Sequence, residues 1–403
     1  MHTPVFTRFA AAFALACALT STMPPTTAQA PAPQTQAGEL LVYFGTYTNG
    51  PLSKGIYSSR LNLATGQLSP AQLAAESENP SFLAVHPKRN FLYAVNEVGK
   101  FEGQNSGSVS AFAMDRQSGA LKFLNRHSSA GAGPAHVTID SEGKNVLVAN
   151  YGGGSVAVLP TAANGSLQPP SSTIQHSGSS VNPNRQKGPH AHSINLDSSN
   201  RFAYAADLGI DKIMIYRYDA AKGSLTPNTP PSASVEPGSG PRHFAIHPEG
   251  RYAYVINELP LTITAFSRDA GNGGLTAFQT ISTLQPGTTP QPGYSTAEIQ
   301  VHPSGRFLYG SNRGHNSISM FSIDPQSGRL TFSQIISTDG RTPRNFGIDP
   351  SGTYLLAANQ QSDTVTVFRI NEKNGRLMQV GTPVAVPAPV CVKFISPQPS
   401  TPR

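Results

Sequence analysis

Six stretches of this chain repeat one pattern, and that repeat restricts the fold more than any other feature. They begin at Phe82 (FLAVHPKRNFLYAVN), His136 (HVTIDSEGKNVLVAN), His192 (HSINLDSSNRFAYAAD), His243 (HFAIHPEGRYAYVIN), Glu298 (EIQVHPSGRFLYGSN) and Asn345 (NFGIDPSGTYLLAAN). A reference residue recurs at His86, Asp140, Asp197, His247, His302 and Asp349, at intervals of 54, 57, 50, 55 and 47 residues. A period of about 50 residues with alternating apolar positions corresponds to one four-stranded propeller blade per copy. Within a copy, an alternating strand A leads through a Pro- or Gly-bearing turn into strand B. A strand C such as SVSAFAMD or TITAFSRD follows, and then a strand D such as ALKFLN.

The ends of the chain supply a seventh copy in two pieces. Val390-Cys391-Val392-Lys393-Phe394-Ile395 reads as a strand A without partners, and LLVYFGTYT from Leu40 opens a B, C and D series without an A. Joining the two ends in one sheet removes the free edges that an open ring would expose. The expected fold is therefore all-β: a seven-bladed propeller over residues 40–396, with four-stranded blades and a ring closed by both termini. Only 13% of residues are charged, and 37 Gly and 35 Pro suit many short strands joined by tight turns.

Residues 1–30 read as a leader. Arg8 precedes an apolar run from Phe9 to Leu19, too short to span a bilayer, and Ala28-Gln29-Ala30 has the small residues of a cleavage site. Cleavage after Ala30 would release a periplasmic or secreted protein with a Pro-rich linker at 31–39 and a tail at 397–403. Cys17 sits in a poor lipobox, and its removal leaves Cys391 as the single thiol, so no intramolecular disulfide is available. Cys391 reads as a small buried hydrophobe. The formal charge of +7 is scattered singly, which argues against a nucleic-acid partner. No later segment is long and apolar enough to cross a membrane as a helix.

The repeat also acts as an internal control, because positions that recur are architecture and positions that vary can carry function. The Asx at the end of strand B recurs as Asn96, Asn150, Asp207, Asn257, Asn312 and Asn359, and reads as a bond to local backbone. Two neighbouring positions vary. The start of strand A reads Phe82, His136, His192, His243, Glu298 and Asn345. The residue after the Asx reads Glu97, Tyr151, Leu208, Glu258, Arg313 and Gln360. Both sets belong at one mouth of the central channel. Arg242 and Arg344 stand just before strand A, and the long loop VNPNRQKGPHAH brings Arg185 and His190 to the same face. Long loops on a rigid scaffold are common binding elements. The variety after the Asx implies that an exchange at Glu258 costs the fold little.

The segments NPNRQKGPHAHS, GPRHFAIHPEGRYAYVINE, AEIQVHPSGRFLYGSNRGH and PRNFGIDPSG occur in an order that resembles the lactonase family of seven-bladed propellers. That family includes propeller-type 6-phosphogluconolactonases and a carboxymuconate cycloisomerase, and the resemblance runs over roughly residues 40–396. It implies lactone hydrolysis without a cofactor. It also implies a catalytic set matching His192 (or His190), Arg242, Glu258 and Arg313. By their position at the same mouth, Arg185, His190, His136, His243, Glu298, Arg344 and Gln360 are available to hold substrate.

The residue types agree with that chemistry. Arginine binds carboxylate or phosphate in bidentate fashion and can stabilise an oxyanion. Glu258 is the first candidate for the base that activates water, kept ionised if it pairs with Arg242, with His192 next and His190 behind it. His315 and Glu97 read as peripheral. No G-x-S-x-G elbow or H-E-x-x-H motif is present, and no carboxylate cage suggests a metal. The expected partner is a small lactone, anionic or sugar-derived. Two other functions use the same face: a non-catalytic propeller that binds sugars or proteins, and a cycloisomerase that forms a lactone.

Overall fold

The computed structural model describes residues 1–5 and 38–395. The expected leader with Arg8 and Cys17, the cleavage after Ala30, nearly all of the linker and the 397–403 tail lie outside the described residues. From residue 38 onward the chain forms seven antiparallel four-stranded sheets. Blade 1 combines Pro389–Ile395 with Glu39–Thr46, Gly55–Asn62 and Gln72–Glu76. Blades 2 to 7 follow in chain order, with A strands at Leu83–Val85, Pro134–Ile139, Ala191–Leu196, Pro241–Ile246, Ser295–Val301 and Pro343–Ile348. Each A strand packs against the A strand of the next blade, and the last packs against Pro389–Ile395, so the A strands line a closed axis.

The closure follows the sequence expectation. Leu41 lies opposite Ile395 and Phe44 opposite Val392, so the two ends of the chain share one sheet. Apolar residues on both faces of each blade bury against the neighbouring blades, as Val42, Phe44, Leu356 and Val365 do between blades 7 and 1. A recurring tyrosine in strand B latches successive blades. Tyr93, Tyr204 and Tyr254 donate their buried hydroxyls to the carbonyls of Gly165, Gly273 and Gly328, at 3.1, 3.0 and 2.9 Å. The hydroxyl is thus satisfied at the point where burial would otherwise make it costly. Gly165 has φ +85°, and a Cβ there would stand 2.3 Å from the Phe91 ring, so a turn with no side chain is required.

One backbone device shapes the channel. Strand A slips by one residue against strand B between Pro134 and His136, Ala191 and Ser193, Pro241 and His243, and Pro343 and Asn345. Blade 6 slips between Thr296 and Ile299. A bulge sets two residues against one and re-aims a side chain. It breaks the strict in–out alternation, so two consecutive side chains of one strand can serve the channel. The inserted position holds Ala135, His192, Arg242 and Arg344, and the next position holds His136, Ser193, His243 and Asn345.

This register corrects two expectations. Strand A starts before the repeat's apparent first residue, so Arg242 and Arg344 lie inside the strand and not ahead of it. His192 is also one frame away from His243: it shares the bulged position with Arg242, while Ser193 stands where His243 does. The spacing to the reference residue carries this, because His192 is five residues before Asp197 but His243 is four before His247.

Candidate active site

Glu258 is the centre of the charged cluster at the channel mouth. It follows Asn257 at the end of strand B in blade 5 and is buried. Its Oε1 accepts from Arg185 Nη2 at 2.7 Å, and its Oε2 meets Arg242 Nε at 3.1 Å and Arg313 Nη2 at 2.8 Å. Burial pushes the Glu258 carboxyl up, but Arg313, Arg242 and Arg185 together outweigh it and hold the group at about 2. Such a carboxylate is fully ionised and weakly basic. The geometry also corrects the expectation that this position is energetically neutral, since Glu258 neutralises guanidiniums that have themselves left water.

The arginines differ in reach. Arg185, on the 177–190 loop, keeps 39% of its side chain exposed and Arg313 keeps 14%, whereas Arg242 keeps 2%. Arg242 also donates to the Ala297 carbonyl at 2.8 Å. Its burial, with Arg313 and Arg344 nearby, lowers its hold on the proton to about 9, which leaves it charged at neutral pH. Arg344 donates to the Tyr47 hydroxyl at 2.9 Å and lies over that ring. Tyr47 in turn donates to Glu97 at 2.8 Å. Four guanidiniums therefore meet two carboxylates, Glu258 and Glu97, and the mouth keeps a positive surplus.

Tyr47 escaped sequence reasoning. It occupies in blade 1 the place that Glu258 occupies in blade 5, following Thr46, which pairs with Pro389. Extending the repeat alignment to the split blade would have found it. Glu97, expected at the periphery, joins the cluster through Tyr47 and Ser81. His315 bonds Ser317 and packs edge-on against Tyr294. Gln360 is half-buried on the same rim, and no hydrogen bond joins its side chain to the cluster among the described residues.

Beneath the rim, imidazoles line the channel. The His192 and His243 rings lie 5.4 Å apart, and His243 and His136 lie 5.5 Å apart, each pair edge to face. Burial first, then nearby cations, holds all three well below the ordinary histidine range, so they are neutral at pH 7. His136 Nδ1 accepts from the Ile194 amide, while His192 Nδ1 has no hydrogen-bond partner among the described residues. His243 Nδ1 lies 3.1 Å from Glu298 Oε2, which Asn345 also contacts. Burial raises the Glu298 carboxyl to about 7, against the pull of Lys393 and Arg242. His190 stacks on Tyr151, and its Nδ1 lies 2.9 Å from the Tyr151 carbonyl oxygen.

His192, His243, Arg242, Arg344, Tyr47 and Glu97 enclose a space of about 10 Å³, room for about one water. A larger cavity of about 700 Å³ lies between blades 6 and 7, lined by Arg306, Arg369 and Met378. A similar groove of about 470 Å³ recurs between blades 7 and 1, which marks such grooves as products of blade packing. Convergence of buried charged groups, not volume, identifies the mouth as the candidate site. No group of three or more His, Cys, Asp or Glu is arranged to hold a metal among the described residues.

The model of a lactonase family with a seven-bladed β-propeller matches residues 41–394. A 6-phosphogluconolactonase of Bacillus subtilis (strain 168) is 39% identical over 353 residues, covering 88% of this chain and 97% of that protein. A structure from Bacteroides fragilis, described as a candidate 6-phosphogluconolactonase, has a TM-score of 0.82 and 36% identity, covering 90% of this chain and all of its own. A periplasmic gluconolactonase of Pseudomonas aeruginosa also has a TM-score of 0.82, with 34% identity, covering 89% of this chain and 99% of its own. The ring of seven blades, the charged mouth on its axis and these likenesses together establish that the chain belongs to the seven-bladed β-propeller lactonase family.

Proposed function

We propose that this lactonase opens a sugar δ-lactone at the channel mouth, with His192 as the base, Arg242 and Arg313 as the charge-stabilising pair, and Glu258 as the carboxylate that holds them. The observation that carries this reading is a neutral, buried His192 beside a surplus of guanidinium. His192 and Arg242 occupy the same bulged position in adjacent blades, so a carbonyl set above them meets base and cation together. His192 Nδ1 takes a proton from water as the water oxygen bonds to the lactone carbonyl carbon. Negative charge then builds on the carbonyl oxygen, where Arg242 and Arg313 stabilise it. Collapse breaks the ring C–O bond, and the imidazolium returns its proton to the departing ring oxygen. The product carries a new hydroxyl and a new carboxylic acid, which loses its proton to solvent at neutral pH.

Glu258 is the weaker candidate for the base, because its three guanidinium partners hold its carboxyl at about 2. Its role is to fix their geometry. Arg185 and His190, with Arg344, Gln360, His136, His243 and Glu298 behind them, bind and orient the sugar. The leader-like N-terminus and the periplasmic Pseudomonas relative support export, and an exported enzyme meets unphosphorylated aldonolactones, whereas phosphorylated sugars are retained in the cytoplasm. The test is a lactone panel with gluconolactone and 6-phosphogluconolactone, run with and without chelator. The expected result is chelator-insensitive hydrolysis with preference for the unphosphorylated ring. No hydrolysis of any sugar lactone by folded protein would overturn the reading.

A further inference from the structure

Of the six copies that end strand B in an Asx, blade 4 alone uses an aspartate, and it replaces a recurring lock with a different set of residues; blade 1 ends strand B in Thr46. The lock joins the Asx at the end of strand B, a residue just after strand D of the preceding blade, and hydroxyls on strand C. In blade 6, Asn312 Nδ2 donates to Ser317 and Ser319 at 3.1 and 2.8 Å, and Thr283 donates to Asn312 Oδ1 at 2.6 Å. In blade 2, Asn96 Nδ2 donates to Ser77 at 2.9 Å, and Ser108 and Ser110 donate to its Oδ1. In blade 4, strand C offers Lys212 and Met214 at the hydroxyl positions, and the Asx is Asp207. The residue after strand D is His176, whose amide bonds the Gly154 carbonyl as the amides of Ser77 and Thr283 bond Lys54 and Leu261.

The replacement is a buried chain of three side chains. His176 Nδ1 lies 2.6 Å from Asp207 Oδ2, and its Nε2 lies 2.7 Å from the Tyr216 hydroxyl, all inside the fold. Asp207 Oδ1 accepts the amides of His190 and Gly209 at 2.7 and 2.9 Å. Both Asp207 oxygens are engaged, and the His176 ring is held at both of its nitrogens. This chain sits at both roots of the 177–190 loop: His176 begins it, and Asp207 holds His190 at its end. Between those roots lie Arg185, which reaches Glu258, and His190, which stacks on Tyr151. Loop length alone does not call for the change, since the long loop after Thr283 keeps the ordinary lock.

We infer that His176, with Asp207 and Tyr216, is a positioning residue for the active site: it fixes the 177–190 loop so that Arg185 and His190 meet substrate in place. The inference rests on the proposed reading of the mouth as a lactone site. Because His176 lies inside the fold and off the channel, its loss acts on binding through Arg185 and His190 and not on the chemical step.

The test is His176→Ser, the residue that the equivalent position carries as Ser77 and Ser129, alongside Tyr216→Phe, Arg185→Ala and the His176→Ser/Arg185→Ala double variant. The expected result is a rise in KM of about 5-fold for an anionic or sugar lactone, with kcat within about 2-fold of the parent. Tyr216→Phe should move KM the same way by less. In the Arg185→Ala background the His176 effect should shrink to the part that His190 carries, because the two changes share the Arg185 side chain. An unchanged KM, or effects that multiply in the double variant, would overturn it. Hydrogen exchange over 177–190 separates this inference from the substrate assignment. Faster exchange at the His190 amide in His176→Ser is expected whatever lactone is used, and unchanged loop exchange would overturn the positioning role even if hydrolysis is found. Adding Asp207→Asn to His176→Ser restores the Asn–Ser contact that blade 2 makes between Asn96 and Ser77, and is the variant to use should the single one fail to fold.

Discussion

Glu258→Gln separates a carboxylate that holds arginines from one that takes protons. The Glu258 carboxyl titrates at about 2 in the folded chain against its ordinary 4.5. That difference corresponds to about 3 kcal/mol of interaction favouring the folded, ionised form. Because the folded value is depressed, the contribution is complete above pH 4.5 and is lost as pH falls towards about 2. Removing one member of a buried ion pair costs about 3–5 kcal/mol, which agrees in size. Glutamine cannot ionise, so at pH 7 the variant should melt about 6 °C below the parent, and the gap should close as pH falls through that window. Catalysis should suffer as well, since Arg242 and Arg313 lose their shared anchor, and kcat/KM for the preferred lactone should fall about 10²-fold. Thermal melts at pH 7 and pH 3, with initial rates at pH 7, measure both. A variant that melts within a degree of the parent at pH 7 and keeps its rate would refute the reasoning.

His192→Gln should lower kcat/KM about 10²-fold and remove the acid limb of its pH profile, which in the parent should lie below pH 6.5 because burial depresses the imidazole; an unchanged limb would assign the base elsewhere. Arg313→Ala should raise KM for anionic lactones about 10-fold, and more than for neutral ones, in steady-state assays. Glu298 has the opposite sign to Glu258: its folded value is raised to about 7, so ionising it costs stability as pH rises from 4.5 through 7. Glu298→Gln should therefore gain in melting temperature relative to the parent between pH 5 and pH 8, a comparison that cancels the shared titration of His136 and His192. N-terminal sequencing of protein recovered outside the cytoplasm should begin near Pro31, and an intact Met1 there would refute cleavage.

The architecture was legible because each of its parts writes a local signal. Alternation gives strands, Pro and Gly give turns, and a copy number of six with two orphan half-copies leaves ring closure as the arrangement without free edges. Asn312 and its siblings were legible as structural because they recur, but the expected bond to local backbone gives way to the hydroxyls of Ser317 and Ser319 on strand C. Tyr47 was not, because its blade is assembled from both ends of the chain. The same holds for His176, which precedes the recognisable part of the next copy and whose meaning appears only when Asp207 and Tyr216 are seen beside it.

The candidate site was legible in its membership but not in its roles. Sequence spacing put Arg242, Glu258 and Arg313 at one mouth, and in the structure the two guanidiniums lie 3.1 and 2.8 Å from Glu258 Oε2. What spacing could not weigh was competition for one carboxylate. Arg242 alone would leave Glu258 an oxygen with which to accept a proton, whereas Arg185, arriving from a loop 73 residues earlier, takes that second oxygen. The base assignment therefore turns on a contact that no local pattern encodes. The bulge acts in the same direction. A regular strand alternates its faces, so Arg242 and His243 could not both serve the channel. The one-residue slip at Pro241 admits both, and the slip at Ala191 sets His192 level with Arg242. The neutral imidazole and the buried guanidinium thus become neighbours through a defect in strand pairing, and the reaction proposed here depends on that defect more directly than on any single charge.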